Sequence, residues 1–162
     1  MAISNESAEA VIKCLEINVD FYRELVMFLM KKHTKVLADD LTWLTNSLND
    51  EQAYIMKSRS IEDKRLALFK GMGLEDKKLS EIIEMSPEDY RPKMTMLSEQ
   101  LTELVDSITR LNAETNEIVK RKLDNQKEFV KRAGIFDKPE TYDKNAAKVV
   151  GGQSAAQVIR QV

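Results

Sequence analysis

The chain of 162 residues holds one histidine, one cysteine, three prolines and five glycines. Each shortage removes a class of protein. A di-metal site in a helical bundle draws Glu-x-x-His pairs from two helices, and His33 alone cannot supply them. Cys14 has no second cysteine to pair with, so no oxidised framework exists. The few glycines and prolines are too few turn signals for a many-stranded β protein. Charge of one sign is missing as well: 25 basic residues face 27 acidic ones, a net of −2. No basic field is left for nucleic acid or an anionic membrane. The longest apolar run, residues 25–30, is far too short to span a bilayer. Met1-Ala2-Ile3-Ser4-Asn5-Glu6 lacks the basic and apolar stretches of a signal peptide, so the cytoplasm is the expected location.

Phosphate-binding loops are equally lacking. Gly71-Met72-Gly73 has no third glycine, and no Gly-Lys-Ser/Thr occurs. Cys14 lies about five turns from His33 on the same predicted helix, too far for a thiol–imidazole pair. Cys14 reads as a small packing residue, and His33 as either a partly buried core residue or a solvated cation near the helix end. No catalytic residue, metal site or cofactor is expected.

What is present is Leu, Ile, Val and Met among abundant Glu, Lys, Gln and Arg, the mixture of long amphipathic helices. Ala8, Val11, Leu15, Val19, Tyr22, Leu25, Leu29 and Val36 recur mainly every three or four residues, with His33 in the series. This spacing predicts one helix over Asn5–Leu37. Met27 and Met30 fall in its densest apolar part and read as core filling. Asp39-Asp40 offers a cap for a second helix, with Leu41, Leu44, Leu48, Ile55, Glu62, Leu66 and Phe69 as its stripe. The stripe is interrupted over residues 49–52 and at Ser58-Arg59, and Gly71-Met72-Gly73 ends it. The run Ile61-Glu62-Asp63-Lys64-Arg65 reads as a solvated face with local ion pairs.

Residues 74–85 suit a short connecting helix. Ser86-Pro87-Glu88-Asp89 reads as a start with Ser86 as cap, and Pro92 places the long helix after one irregular turn. Leu97, Leu101, Leu104, Ile108, Leu111, Thr115 and Ile118 then alternate three and four, a coiled-coil-like seam. Asn112 and Asn116 sit beside it, where a half-buried amide either sets register or oligomeric state or meets a client. Over residues 92–133 this helix would be roughly 60 Å long against about 50 Å for the first, so one end should project. Residues 135–162 carry no sustained stripe, only the apolar clusters Val149-Val150 and Val158-Ile159. The expected fold is all-α: an antiparallel bundle of long helices over 1–134, with an irregular or partly helical tail over 135–162.

The series Asp39-Asp40-Leu41-Thr42-Trp43-Leu44, Glu51, Ile61-Glu62-Asp63-Lys64-Arg65, Leu79-Ser80-Glu81-Ile82-Ile83 and Leu111-Asn112-Ala113-Glu114-Thr115-Asn116-Glu117-Ile118 resembles the FlgN family of flagellar type III export chaperones, in order and spacing. The resemblance covers residues 10–145. It implies a cytoplasmic chaperone for the hook–filament junction proteins FlgK and FlgL, passing them to the export gate protein FlhA. It also implies that clients bind the carboxy-terminal helical part and that a tail tyrosine, here Tyr142, docks on the gate. Many relatives have Gly where this chain has Ala146. An overhanging helix bearing Ile118, Leu123 and Phe129, with the clusters Val149, Val150, Val158 and Ile159, could receive a client's amphipathic helix. The alternative is a structural coiled-coil protein that forms a homo-oligomer through the seam from Leu97 to Ile118.

Overall fold

The computed structural model describes residues 2–134. Five α-helices follow one another: α1 (Asn5–Leu37), α2 (Leu41–Asn46), α3 (Leu48–Gly71), α4 (Leu79–Met85) and α5 (Arg91–Arg132). A 3-10 turn, Glu88–Tyr90, precedes α5. No strand occurs among the described residues.

Local chemistry sets the ends of these helices. Ser4 accepts from the Ser7 N–H at 3.1 Å and caps α1, satisfying one of the orphan donors of a helix start. Asp39 takes a positive φ of 54°, a conformation that Asp tolerates better than bulkier residues. Asp40 then caps α2, its Oδ1 accepting from the Trp43 N–H at 3.0 Å. The predicted single second helix is broken at Ser47. The Ser47 hydroxyl donates back to the Leu44 carbonyl at 3.0 Å, a bond that bends helices. At the end of α3 the Leu74 N–H reaches the Phe69 carbonyl and the Gly73 N–H reaches Lys70. With Gly73 at φ 68°, this is a Schellman closure.

Ser86 differs from its expected role as a cap. Extended backbone ahead of Pro87 leaves its buried hydroxyl bonded to the Ile82 carbonyl at 2.7 Å. Arg91 ties the turn together by donating to the Ser86 and Glu84 carbonyls. The irregular turn before α5 is as the two prolines require.

The long helices run up, down and up. Lys32 meets Glu51 at 2.7 Å and Lys57 meets Glu24 at 3.8 Å, so α3 is antiparallel to α1. The first and third long helices are then parallel. Lys93 meets Glu16, His33 meets Thr115, and Lys122 meets Val36. In α1 the positions 8, 11, 15, 18, 22, 25, 29, 32 and 36 are all buried, alternating three and four. In α5, Leu97, Ile108 and Thr115 of the expected seam are buried, and the remaining seam residues are half-buried.

Two clusters make the core. One joins Val11, Leu15 and Val19 to Phe69, Leu74, Ile82, Met94 and Leu97. The other joins Phe21, Tyr22, Leu25 and Leu29 to Ile55, Ile61 and Ile108. Met27 and Met30 belong to neither: they are 71% and 56% exposed. A long apolar run on one helix must turn some of its residues outward, because α3 and α5 cover only part of its circumference.

Candidate partner-binding surface

The described part of the predicted surface lies at the far end of α5. Ile118 and Leu123 are half-buried and Phe129 is 69% exposed. Lys122 marks where α1 stops supporting α5. Its ammonium donates to the Val36 carbonyl at 2.8 Å, the Leu37 carbonyl at 3.1 Å and Asp39 at 2.6 Å. Ile118 therefore lies alongside α1, whereas Leu123 and Phe129 lie beyond its end. The overhang is shorter at its near end than the stretch from Ile118 onward would suggest. Tyr142, Val149, Val150, Val158 and Ile159 fall outside the described residues.

Two further apolar residues join this end of the molecule. Leu37 is 54% exposed and Leu41 is 72% exposed. The Leu37 carbonyl accepts from Lys122 at 3.1 Å, which places Leu37 at the same end of the molecule as the overhang of α5. Periodicity had assigned Leu41 to the stripe of the second helix. No residue of α2 is buried: this short helix lies against the side of α1 through Trp43, whose ring meets Phe28 at 5.9 Å, and leaves Leu41 uncovered.

The groups capable of chemistry are engaged in structure. His33 Nδ1 lies 3.0 Å from the Thr115 hydroxyl, in the α1–α5 contact. Cys14 is half-buried, and burial pushes its thiol up from the ordinary value, against the pull of the nearby Arg65 charge. A raised thiol is a poor nucleophile. Among the described residues no three His, Cys, Asp or Glu side chains come together as a metal site. No helix among them is long and apolar enough to cross a membrane.

The run from Ile61 to Arg65 is more involved in packing than a solvated face. Ile61 is buried, and the Arg65 guanidinium meets Glu62 through two bonds of 2.9 and 2.6 Å. That pairing holds Arg65 more firmly charged than usual. Arg65 also lies over the Phe69 ring at 5.4 Å. Only Asp63 and Lys64 face solvent. Asn116 is exposed, while Asn112 is buried with no hydrogen-bond partner for its Nδ2 among the described residues.

A groove opens between α3 and α5, which hardly approach each other although both pack on α1. It encloses about 540 Å³, with Leu15, Asn18 and Tyr22 of α1 among its lining. Burial raises the Tyr22 hydroxyl above its ordinary value, with the Glu62 charge adding to the rise. Neither this groove nor the apolar end presents a nucleophile beside a base.

The family model described as FlgN protein matches residues 1–148. The chain belongs to the FlgN family. Flagellar export chaperones make up this family, and it is not a family of enzymes. Neither the curated proteins nor the solved structures contain a match. The match takes in all five helices of this FlgN-family chain and Tyr142, and stops just short of Val149.

Proposed function

We propose that this FlgN-family protein works in the cytoplasm as the chaperone of hook–filament junction proteins of the FlgK and FlgL type. An unassembled junction protein exposes amphipathic helices whose apolar faces aggregate. The exposed apolar end of the chaperone, Phe129 with Leu37 and Leu41, is the observation that carries this reading. A client helix laid there would cover these side chains at one stroke. Val149, Val150, Val158 and Ile159 would close over the same helix from the tail. Tyr142 would remain outward to dock on the export gate protein FlhA. Ordering the tail at the moment of capture costs affinity, which suits cargo that has to be released.

Capture of purified FlgK- or FlgL-type protein by the full chain tests the reading. Phe129→Asp combined with Leu41→Asp should weaken capture at least tenfold while leaving the helical content unchanged. Deleting residues 135–162 should weaken it as well. Tyr142→Ala should abolish gate docking and leave client capture intact. Unaltered client binding in the double variant and the deletion would overturn the proposal. A scaffold that self-associates through the seam from Leu97 to Ile118 is disfavoured, because Leu97 and Ile108 are already buried within the core clusters of a single chain.

A further inference from the structure

The groove between α3 and α5 is not used by the client reading. Leu15, Tyr22 and Phe69 at its floor are buried, whereas the apolar side chains of its rims, Leu66, Leu79, Leu101 and Val105, are only partly covered. Leu66 on its α3 side is 48% exposed. Leu101, Thr102 and Val105 line it from α5. Its charged lining is mixed, with Asp106 and Glu75 among Arg65, Lys77 and Lys78. This is the shape of a bundle with one helical position left open.

The chain itself carries a segment of matching pattern. Residues 154–162 read Ser-Ala-Ala-Gln-Val-Ile-Arg-Gln-Val. Ala155, Val158, Ile159 and Val162 are spaced three, one and three apart, which is one face of two helical turns. Ser154 is a favourable start. Gln157, Arg160 and Gln161 form the other face, a polar one suited to the mixed charges of the rim. Reach is sufficient. From Gly134 back to Val105 is about 44 Å along a helix axis. The twenty residues from Gly134 to Ser154 span up to about 66 Å when extended.

We propose that residues 154–162 dock in cis as two helical turns in the groove between α3 and α5, with Val158 and Ile159 toward Leu66 and Val105. A consequence rests on the client reading given above. Val158 and Ile159 cannot cover the groove and a client helix together, so client capture draws the segment out. The groove is then a parking site that keeps the tail's apolar residues covered until cargo arrives.

The test uses the full chain with Cys14→Ser and Gln157→Cys, carrying a nitroxide on residue 157. In the isotope-labelled free protein, amide signals of Leu66, Thr102 and Val105 should lose more than half their intensity. Those of Gln126 and Lys127 should stay sharp. Sharp signals at the groove would overturn the docking. Loss appearing only when spin-labelled and isotope-labelled chains are mixed would overturn it in favour of a second copy. Thr102→Arg, which fills the groove from an exposed position, should restore the signals with helical content unchanged. Persistence of the loss in that folded variant would overturn the site. Adding purified FlgK-type protein should also restore them. If the client binds and the groove signals stay broadened, competition is refuted while docking stands. Because the first measurement contains no client, its failure leaves the client reading untouched.

Discussion

The Lys122 ammonium donates to the Val36 carbonyl at 2.8 Å across 86 residues of sequence. One side chain of α5 thereby closes the carboxy-terminal end of α1, where unpaired carbonyls and the helix dipole both favour a cation. It also reaches Leu37 and Asp39. Replacing Lys122 by Met should keep the packing of the stem and lose the clasp. We expect a stability loss of about 1 kcal/mol, discounted because the group is about one-third exposed. Urea unfolding at low and high salt measures it, and the loss should shrink as salt rises.

Lys32 and Glu51 join α1 to α3 at 2.7 Å, with side chains only 11% and 16% exposed. Glu51→Leu alone strands a largely buried ammonium and should cost about 3 kcal/mol. Adding Lys32→Met should recover most of that, since two apolar side chains can replace a buried pair. Thermal unfolding of the two single variants and the double variant decides the matter. A double variant as unstable as Glu51→Leu would contradict it.

Asn112 buries an amide nitrogen that has no partner among the described residues. Asn112→Leu removes that unsatisfied donor and should raise stability by about 1 kcal/mol. The same amide at a helix contact is the kind of residue that sets register. The variant should therefore be checked by sizing chromatography as well as by melting. A destabilised monomer would show that the amide has a partner in solution.

Asp40 is held below its ordinary carboxyl value of 3.8 first by the Trp43 N–H and next by Lys35. A depressed folded value means that the cap stabilises above the unfolded value and fades as pH falls through the folded one. The sole tryptophan, Trp43, is the donor to this cap. Its emission should hold steady at neutral pH and change only below about pH 4. Asp40→Asn, which keeps an accepting oxygen, should flatten that change.

Much of this architecture was legible in the order of residues. Helix α1 keeps its expected bounds, Gly73 and Gly134 stand at helix ends, and Pro92 opens α5 after one irregular turn. These are local events, decided within a few residues by caps, φ angles and apolar period. The candidate surface was less legible. Phe129 was expected to be available and is exposed, but Leu37 and Leu41 were not singled out, and Met27 and Met30 were expected inside. An apolar residue in a stripe looks the same whether or not another helix covers it.

The sequence alone determined which stretches are helical and where most of them stop. Only the tertiary structure decided the parallel pairing of α1 with α5, the kink at Ser47, the clasp of Lys122 and the open side between α3 and α5. The reason is range. Period and capping act over one or two helical turns, whereas exposure depends on which distant segment arrives to exclude water, and nothing local encodes that arrival.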